Sequence, residues 1–290
     1  MTLRLAPHVR SKLIEVGDAL DIDEQLAVGD GGEVFVNPHV ESEEHAEREC
    51  EGPSGGQGSQ RGPGQCVRAR QEAGPGASAR LRGSSLAEHY LLGESEVRER
   101  YDANLMVSGN GLWVVARSRP LGADGPQFHL VVAFPFSIGV QPKGWAFSKL
   151  GPFPKAVGPR HTNFPDHSIC AQGPDDGAWY PPDGIRPLLN LYSTWLLRQL
   201  YLAEFGRWPG RQWGPSALYR RTEFHSEEWC GCGRTARYGE CCRRADLEVG
   251  DEEARREHIR VTGGDYRPRR VPKEIMNFAR SDWKKMLKIS

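Results

Sequence analysis

Four cysteines, Cys230, Cys232, Cys241 and Cys242, stand within thirteen residues in the pattern C-x-C-x8-C-C, and they constrain this chain more tightly than any other feature. Thiolates so close together can surround one tetrahedral Zn²⁺ at about 2.3 Å per sulfur. Gly231, Gly233 and Gly239 permit the tight turns that this demands. Arg234, Arg237, Arg243 and Arg244 offset the double negative charge of a four-thiolate zinc centre. Two disulfides are the poorer reading, because sequence neighbours such as Cys241 and Cys242 bridge badly. Four sulfurs also close the coordination shell, so the expected zinc is structural, and its binding energy of order 10 kcal/mol would itself fold the segment.

The other three cysteines are scattered. Cys50 and Cys66 lie in a stretch without core-forming character, and Cys170 stands alone. In a reducing compartment clustered thiols are metal ligands more often than disulfides, and a solitary thiol raises the question of nucleophilic chemistry. A chain of 290 residues with 8 Trp, 10 Phe and 8 Tyr can fill a real core and leaves room for two compact units. Equal numbers of basic and acidic residues, 38 of each, exclude a globally basic polyanion binder. Mean hydropathy is -0.59 and no apolar run approaches the roughly 20 residues needed to cross a bilayer, so no membrane span is expected. The opening MTLRLAPHVRSKLIEV has no apolar stretch followed by a small-residue cleavage site, and the expected location is cytoplasmic.

Along the chain, Leu5, Val9, Leu13, Val16 and Leu20 form the stripe of an amphipathic helix, and a short strand is predicted at 33–36. From Glu51 to Ser84, 20 of 34 positions are Gly, Pro, Ser or Gln and none is aromatic. Such a segment cannot bury enough apolar area to offset roughly 1–2 kcal/mol of backbone entropy per residue, and it reads as a flexible linker. A helical stretch follows in SLAEHYLLGESEVRERYD. GLWVVARSRP, QFHLVVAFPF and the segment from Trp145 then read as strands of an antiparallel meander joined by short turns. From Asp183, a good N-cap, the set Leu188, Leu189, Tyr192, Trp195, Leu196 and Leu200 recurs at helical spacing as far as Gly206. The whole is an α+β arrangement.

Between the meander and the long helix lie roughly thirty residues of turn formers without predicted secondary structure, a length that in a compact domain usually marks function or disorder, and the flanking Trp145 and Trp179 argue against disorder. The loop carries His161, Asn163, His167 and Cys170. A lone cysteine is by default a small buried hydrophobe. Here its polar, turn-rich setting points instead to a nucleophile suited to thioester formation and transfer. A hydrolase pair of His167 with Cys170 is less attractive, because residues three apart on one loop seldom align imidazole and sulfur.

The order of these elements resembles the ubiquitin-conjugating enzymes, and more closely their divergent bacterial relatives. The matching features are QFHLVVAFPFSIGVQPKGWAF, His161-Thr162-Asn163, SIC ending at Cys170, Trp179-Tyr180-Pro181-Pro182 and GIRPLLNLYSTWLL. The resemblance covers about Leu86 to Gly206. It implies a ubiquitin-conjugating-like fold, an antiparallel meander sheet backed by helices, with Cys170 as the thioester-forming residue. Asn163 would hold the loop and polarise the thioester oxygen, a contribution of roughly 3 kcal/mol for such a donor. His161 would anchor the loop. Thr162 stands at the family's Pro, and Asn163 lies seven residues before Cys170. The implied partners are an adenylating activating enzyme and a ubiquitin-like protein, or a nucleotidyltransferase conjugated in antiphage defence. The cysteine cluster, with Tyr238 at the motif's aromatic position, similarly resembles the SEC-C motif, a short zinc knuckle.

The expected organisation is an N-terminal helical and strand region (1–50), a linker (51–85), a conjugating-like domain (86–206), a zinc knuckle (207–246) and a basic tail (247–290). Eight Lys or Arg after Tyr266 stand against Glu274 and Asp282, and such a tail reads as solvated surface. Aromatics interleave too sparsely for base stacking, so nucleic acid is not an expected partner. His167, Asp175 and Asp176 read as solvated loop residues; the sharper alternative has an Asp orient an incoming lysine amine. The rival functional class is a catalytically silent scaffold that keeps the fold and uses the knuckle to bind partners.

Overall fold

Apolar residues alternate along the central strands because successive side chains point to opposite faces of a sheet, and here both faces are covered. The computed structural model describes residues 5–21, 26–28, 34–36, 86–108, 110–137, 139–148, 154–171 and 178–281. The proposed linker 51–85, Cys50, Cys66, Asp175 and Asp176 lie outside the described residues.

The described elements form an α+β unit around a five-stranded antiparallel sheet: β3 (Asn104–Ser108), β4 (Gly111–Ser118), β5 (Phe128–Pro135), β6 (Lys143–Ser148) and β7 (Lys155–Ala156), paired in chain order. The three-strand meander is thus extended by a strand at each edge. Leu112 and Val114 of β4 with Leu130, Val132 and Phe134 of β5 point to the inner face and are fully buried. Pairing of Val114 with Val132 and of Leu130 with Ala146 sets that register. A slip of one residue would turn the whole set outward.

The long helix α4 (Ile185–Phe205) crosses the inner face. Its predicted apolar set is buried, Ser193 Oγ meets Ser118 Oγ at 2.9 Å, and the Tyr192 ring lies against Gly144 of β6. The helix ends where Gly206, at φ 73, donates its N–H to the Leu202 carbonyl. Its start differs from expectation: Gly184 is the N-cap, while Asp183 closes a 3₁₀ turn over Pro181–Asp183 and accepts the Tyr180 N–H at 2.7 Å. Helix α1 (Pro7–Asp21) buries Val9, Leu13, Val16 and Leu20, and its Arg10 pairs with Glu204 of α4 at 2.7 Å. Strands β1 (Leu26–Val28) and β2 (Val34–Val36) pair antiparallel. The segment before β3 forms two short helices, α2 (Leu86–Leu91) and α3 (Glu94–Arg100), separated by Gly93 at φ 77.

The C-terminal basic run departs from the solvated-tail reading as far as residue 281. Helix α8 (Lys273–Arg280) buries Ile275 with Val131, Trp145 and Phe147 on the outer face of the sheet. Its charged residues face away from that contact, so a segment basic in composition is amphipathic in space. Helices α5 (Ala217–Glu223), α6 (Arg243–Glu248) and α7 (Asp251–Thr262) complete the unit. Among the described residues no helix is long and apolar enough to cross a membrane.

Candidate functional site

The loop that carries Cys170 has structure of its own. It folds back as a small antiparallel hairpin in which Thr162 bridges Ile169, the Asn163 N–H donates to Ser168 at 2.7 Å, and the Cys170 N–H donates to the His161 carbonyl at 3.1 Å. Cys170 therefore sits directly opposite His161. Alternation of small, polar and β-branched residues favours such a pairing, but two strands this short form only when tied down. The ties come from β6: the Ile169 N–H donates to the Gly144 carbonyl at 2.7 Å, and Trp145 Nε1 donates to the Asp166 carbonyl at 2.9 Å. Asp166 also accepts from Lys143 at 2.5 Å and from the Ser168 hydroxyl at 2.8 Å. Burial raises the Asp166 pKa, but Lys143 and Ser168 outweigh it and hold the carboxyl below its ordinary range.

His161 is buried at φ 51, a left-handed conformation uncommon for a side chain of this size. Three contacts hold it. Trp195 Nε1 donates to its carbonyl at 2.7 Å, its ring lies 3.8 Å from that of Trp208, and its Nε2 meets Gln212 Oε1 at 2.9 Å. Burial and the neighbouring Arg160 push its pKa well below the usual histidine value, against the Gln212 bond, so the ring is neutral. With Gln212 Oε1 as acceptor, the Nε2 carries the proton.

The Asn163 amide nitrogen donates to the Ile169 carbonyl at 3.0 Å and to the Ser168 hydroxyl at 3.2 Å, so the side chain braces the hairpin beside Cys170. The His167 Nε2 is engaged by the Val157 carbonyl at 3.0 Å. Cys170 is half-buried and lines a pocket of about 290 Å³ together with His161, Trp208, Gln212, Gly231 and Gly233. Tyr192 and Tyr219 lie close enough that, after burial, the charge of a Cys170 thiolate adds to the rise of their phenol pKa values; for Tyr219 the Glu223 carboxylate ranks between the two.

No family model matches the chain, and no curated protein or solved structure matches it either. The side-chain geometry therefore carries the functional argument.

The four clustered cysteines converge, with all four sulfurs within 4.8 Å of one another. A tetrahedral site with metal–sulfur bonds of about 2.3 Å has sulfur–sulfur edges of about 3.8 Å. The Cys232–Cys241 and Cys241–Cys242 separations are 3.6 and 3.7 Å, so the donor set fits a metal ion such as zinc. The first pair sits on a turn in which the Cys230 N–H donates to Ala236 at 3.0 Å. The second follows the 3₁₀ turn Tyr238–Glu240 and leads into α6. Burial raises the Cys230 thiol to about 11 and also raises Cys242. Cys232 is different: burial works against ionisation there, but the Arg234 amide and the neighbouring thiols bring it down to about 7. The Cys232 thiolate thus forms readily, whereas Cys230 and Cys242 hold their protons until a cation displaces them.

Of the arginines predicted to balance the thiolates, Arg237 stacks on the Trp229 ring at 4.2 Å, while Arg243 and Arg244 are exposed. Arg220, not singled out in the sequence, is the closer cation. It is held bidentate by Asp246 at 2.8 and 2.6 Å; burial works to lower its pKa, but Asp246, with smaller contributions from Cys242 and Cys230, raises it.

Sequence reasoning also missed the buried network that joins the two candidate sites. Glu228 accepts two bonds from Arg160, one from the Trp208 N–H and one from Gln212 Nε2. Arg269, from the supposed tail, pairs with Glu223, donates to the Thr162 carbonyl at 3.1 Å and lies 4.5 Å from the Phe164 ring. The only sequence signal for Glu228 is an acidic residue two positions before the first cysteine.

Proposed function

We propose that the protein is a transferase of ubiquitin-conjugating type that carries an acyl group as a thioester on Cys170, with a structural zinc in the four-cysteine knuckle. The observation that carries this reading is the place of the thiol: half-buried in a pocket, on a braced hairpin that follows an antiparallel meander and packs beside the long helix that crosses it. In the reaction the Cys170 thiolate attacks the activated C-terminal carbonyl of a ubiquitin-like protein. A carbon–sulfur bond forms and adenylate or a donor thiol leaves. An amine then attacks the thioester, the carbon–sulfur bond breaks to return the thiolate, and the amine proton passes to solvent. Asn163 contributes as a positioning residue through its bonds at Ser168 and Ile169.

The direct experiment incubates the protein with an activating enzyme, ATP and a ubiquitin-like protein encoded beside it. The reading expects a thiol-sensitive adduct that Cys170→Ala abolishes and Cys170→Lys converts into a stable isopeptide. An adduct that survives in Cys170→Ala overturns it. The scaffold reading draws on one specific observation: the Asn163 amide is committed to the hairpin, and this residue is not among the described residues that line the pocket. Absence of any adduct in Cys170→Lys, with every activating pair tried, supports the scaffold.

A further inference from the structure

The knuckle and the candidate nucleophile share a wall. Gly231 and Gly233, on either side of the metal-ligand position Cys232, line the same pocket as Cys170. Gly231 stands at φ 66, and its carbonyl accepts the Gly214 N–H at 2.9 Å. A Cβ built at Gly231 would fall 2.7 Å from the Gln212 carbonyl oxygen and 2.7 Å from the Gly214 nitrogen. The knuckle backbone is therefore seated on segment 212–214 with no space for a side chain between them.

Gln212 belongs to both sides of this seam. Its backbone meets Gly231, and its amide nitrogen donates to Glu228 and to the Trp229 carbonyl, each at 3.0 Å, just ahead of Cys230. Its amide oxygen faces His161 Nε2 at 2.9 Å, and the His161 carbonyl in turn accepts the Cys170 N–H. Every link between metal ligand and thiol is thus a short hydrogen bond or a close backbone contact, with His161 buried and Gln212 and Gly231 half-buried. Binding energy in a four-thiolate site is folding energy for the turns that supply the thiolates. Those turns include the two glycines of the pocket wall, and loss of the metal releases them.

We infer that metal occupancy of the Cys230, Cys232, Cys241 and Cys242 cluster sets the shape of the Cys170 pocket and the reactivity of its thiol, with Gln212 as the positioning residue between them. The inference rests on the proposed transferase only in naming what the thiol is for. Alkylation reads the thiol without any transfer, so failure of one reading is distinguishable from failure of the other.

The experiment measures the rate of Cys170 carbamidomethylation by iodoacetamide, resolved by peptide mass spectrometry. It uses the full chain loaded with one equivalent of Zn²⁺, the same chain stripped by a chelator, and Gln212→Ala with metal retained. Stripping is expected to speed Cys170 labelling at least about tenfold while leaving it well below the rate of the urea-unfolded chain, as for a local rather than a global opening. Gln212→Ala, still holding zinc, is expected to speed it at least about threefold. Should Gln212→Ala fail to hold zinc, Gly231→Ala, which keeps all four thiols and presses a Cβ against segment 212–214, takes its place with the same expectation once its zinc content is verified. The inference is overturned if stripping exposes the cluster cysteines without changing Cys170, if the stripped chain labels as fast as the unfolded one, or if the zinc-loaded variant labels like the wild type.

Discussion

Arg160 closes on both carboxylate oxygens of Glu228, Nη1 to Oε1 at 2.7 Å and Nη2 to Oε2 at 2.6 Å, and Glu228 is fully buried. This pair clamps the hairpin's base to the segment that leads into the knuckle. A buried pair is a weak guarantee of net stability, because desolvating two charges offsets most of their attraction; removing one partner leaves the other charged and unmatched.

Glu228→Ala is therefore expected to lose about 3–5 kcal/mol, the range for an orphaned buried charge. Urea denaturation followed by tryptophan fluorescence measures it. A loss below about 1 kcal/mol, the scale of an exposed pair, would show that Arg160 reaches water or that Glu223, whose Oε2 lies 3.9 Å from Arg160 Nε, takes over its charge.

Acid should weaken the fold through two histidines. His161 and His258 are both buried and both have pKa values lowered first by burial. His258 Nδ1 meets Ser216 Oγ at 2.9 Å, and its Nε2 has no hydrogen-bond partner among the described residues. The folded state keeps both rings neutral, whereas the unfolded chain protonates them at the ordinary value of about 6.5. Their contribution is thus complete above about pH 6.5 and is lost as pH falls toward the folded-state values, because the unfolded chain then binds more protons. Denaturation curves at about pH 7.5 and about pH 5.5 should show this loss, and His258→Gln should reduce it. An unchanged slope in the variant would remove His258 from the account.

These features differ in how far the sequence announces them. Period-two and period-3.6 patterns gave the strands and the long helix directly, because Leu130 or Leu196 has one favourable place, the core. Spacing alone announced the cysteine cluster. Hairpin pairing around Cys170 was not legible, because its ties, Gly144 and Trp145, lie more than twenty residues away. Nor was the place of Arg269, since a charged residue in a basic run looks the same whether it faces water or Glu223. Long-range polar pairing leaves no periodic trace in a sequence.

Gly144 should resist substitution. A Cβ there would fall 2.3 Å from the Tyr192 ring, which α4 holds against the sheet, and the Gly144 carbonyl also anchors Ile169. Gly144→Ala is expected to cost about 1–3 kcal/mol by overpacking. Combining it with Tyr192→Ala should recover part of that cost, and a thermal-denaturation cycle over the four proteins checks the coupling. Strict additivity would mean that the ring moves aside freely.

Helix α8 should behave as part of the core. Ile275→Ala removes a buried side chain from contact with Val131, Trp145 and Phe147 and is expected to cost about 2–4 kcal/mol. Near-ultraviolet circular dichroism should register the change at Trp145. A variant as stable as the wild type would return this segment to the solvated-tail description.

Metal affinity should fall steeply with acidity. Cys232, at about 7, loses its proton near neutrality, whereas Cys230, at about 11, and the still higher Cys242 keep theirs in the metal-free protein. Metal ligation requires thiolates, so each bound ion must expel more than one proton. Mass action then makes the apparent affinity drop more than about tenfold for each unit of pH lowered around neutrality. Competition against a chromophoric chelator between about pH 6.5 and about pH 8 measures the slope directly. Replacing Cys230 by Ser removes a ligand and should abolish one-equivalent binding at the lower pH. A slope of less than one proton per ion would mean that the metal is held by fewer thiolates than the four whose sulfurs converge here.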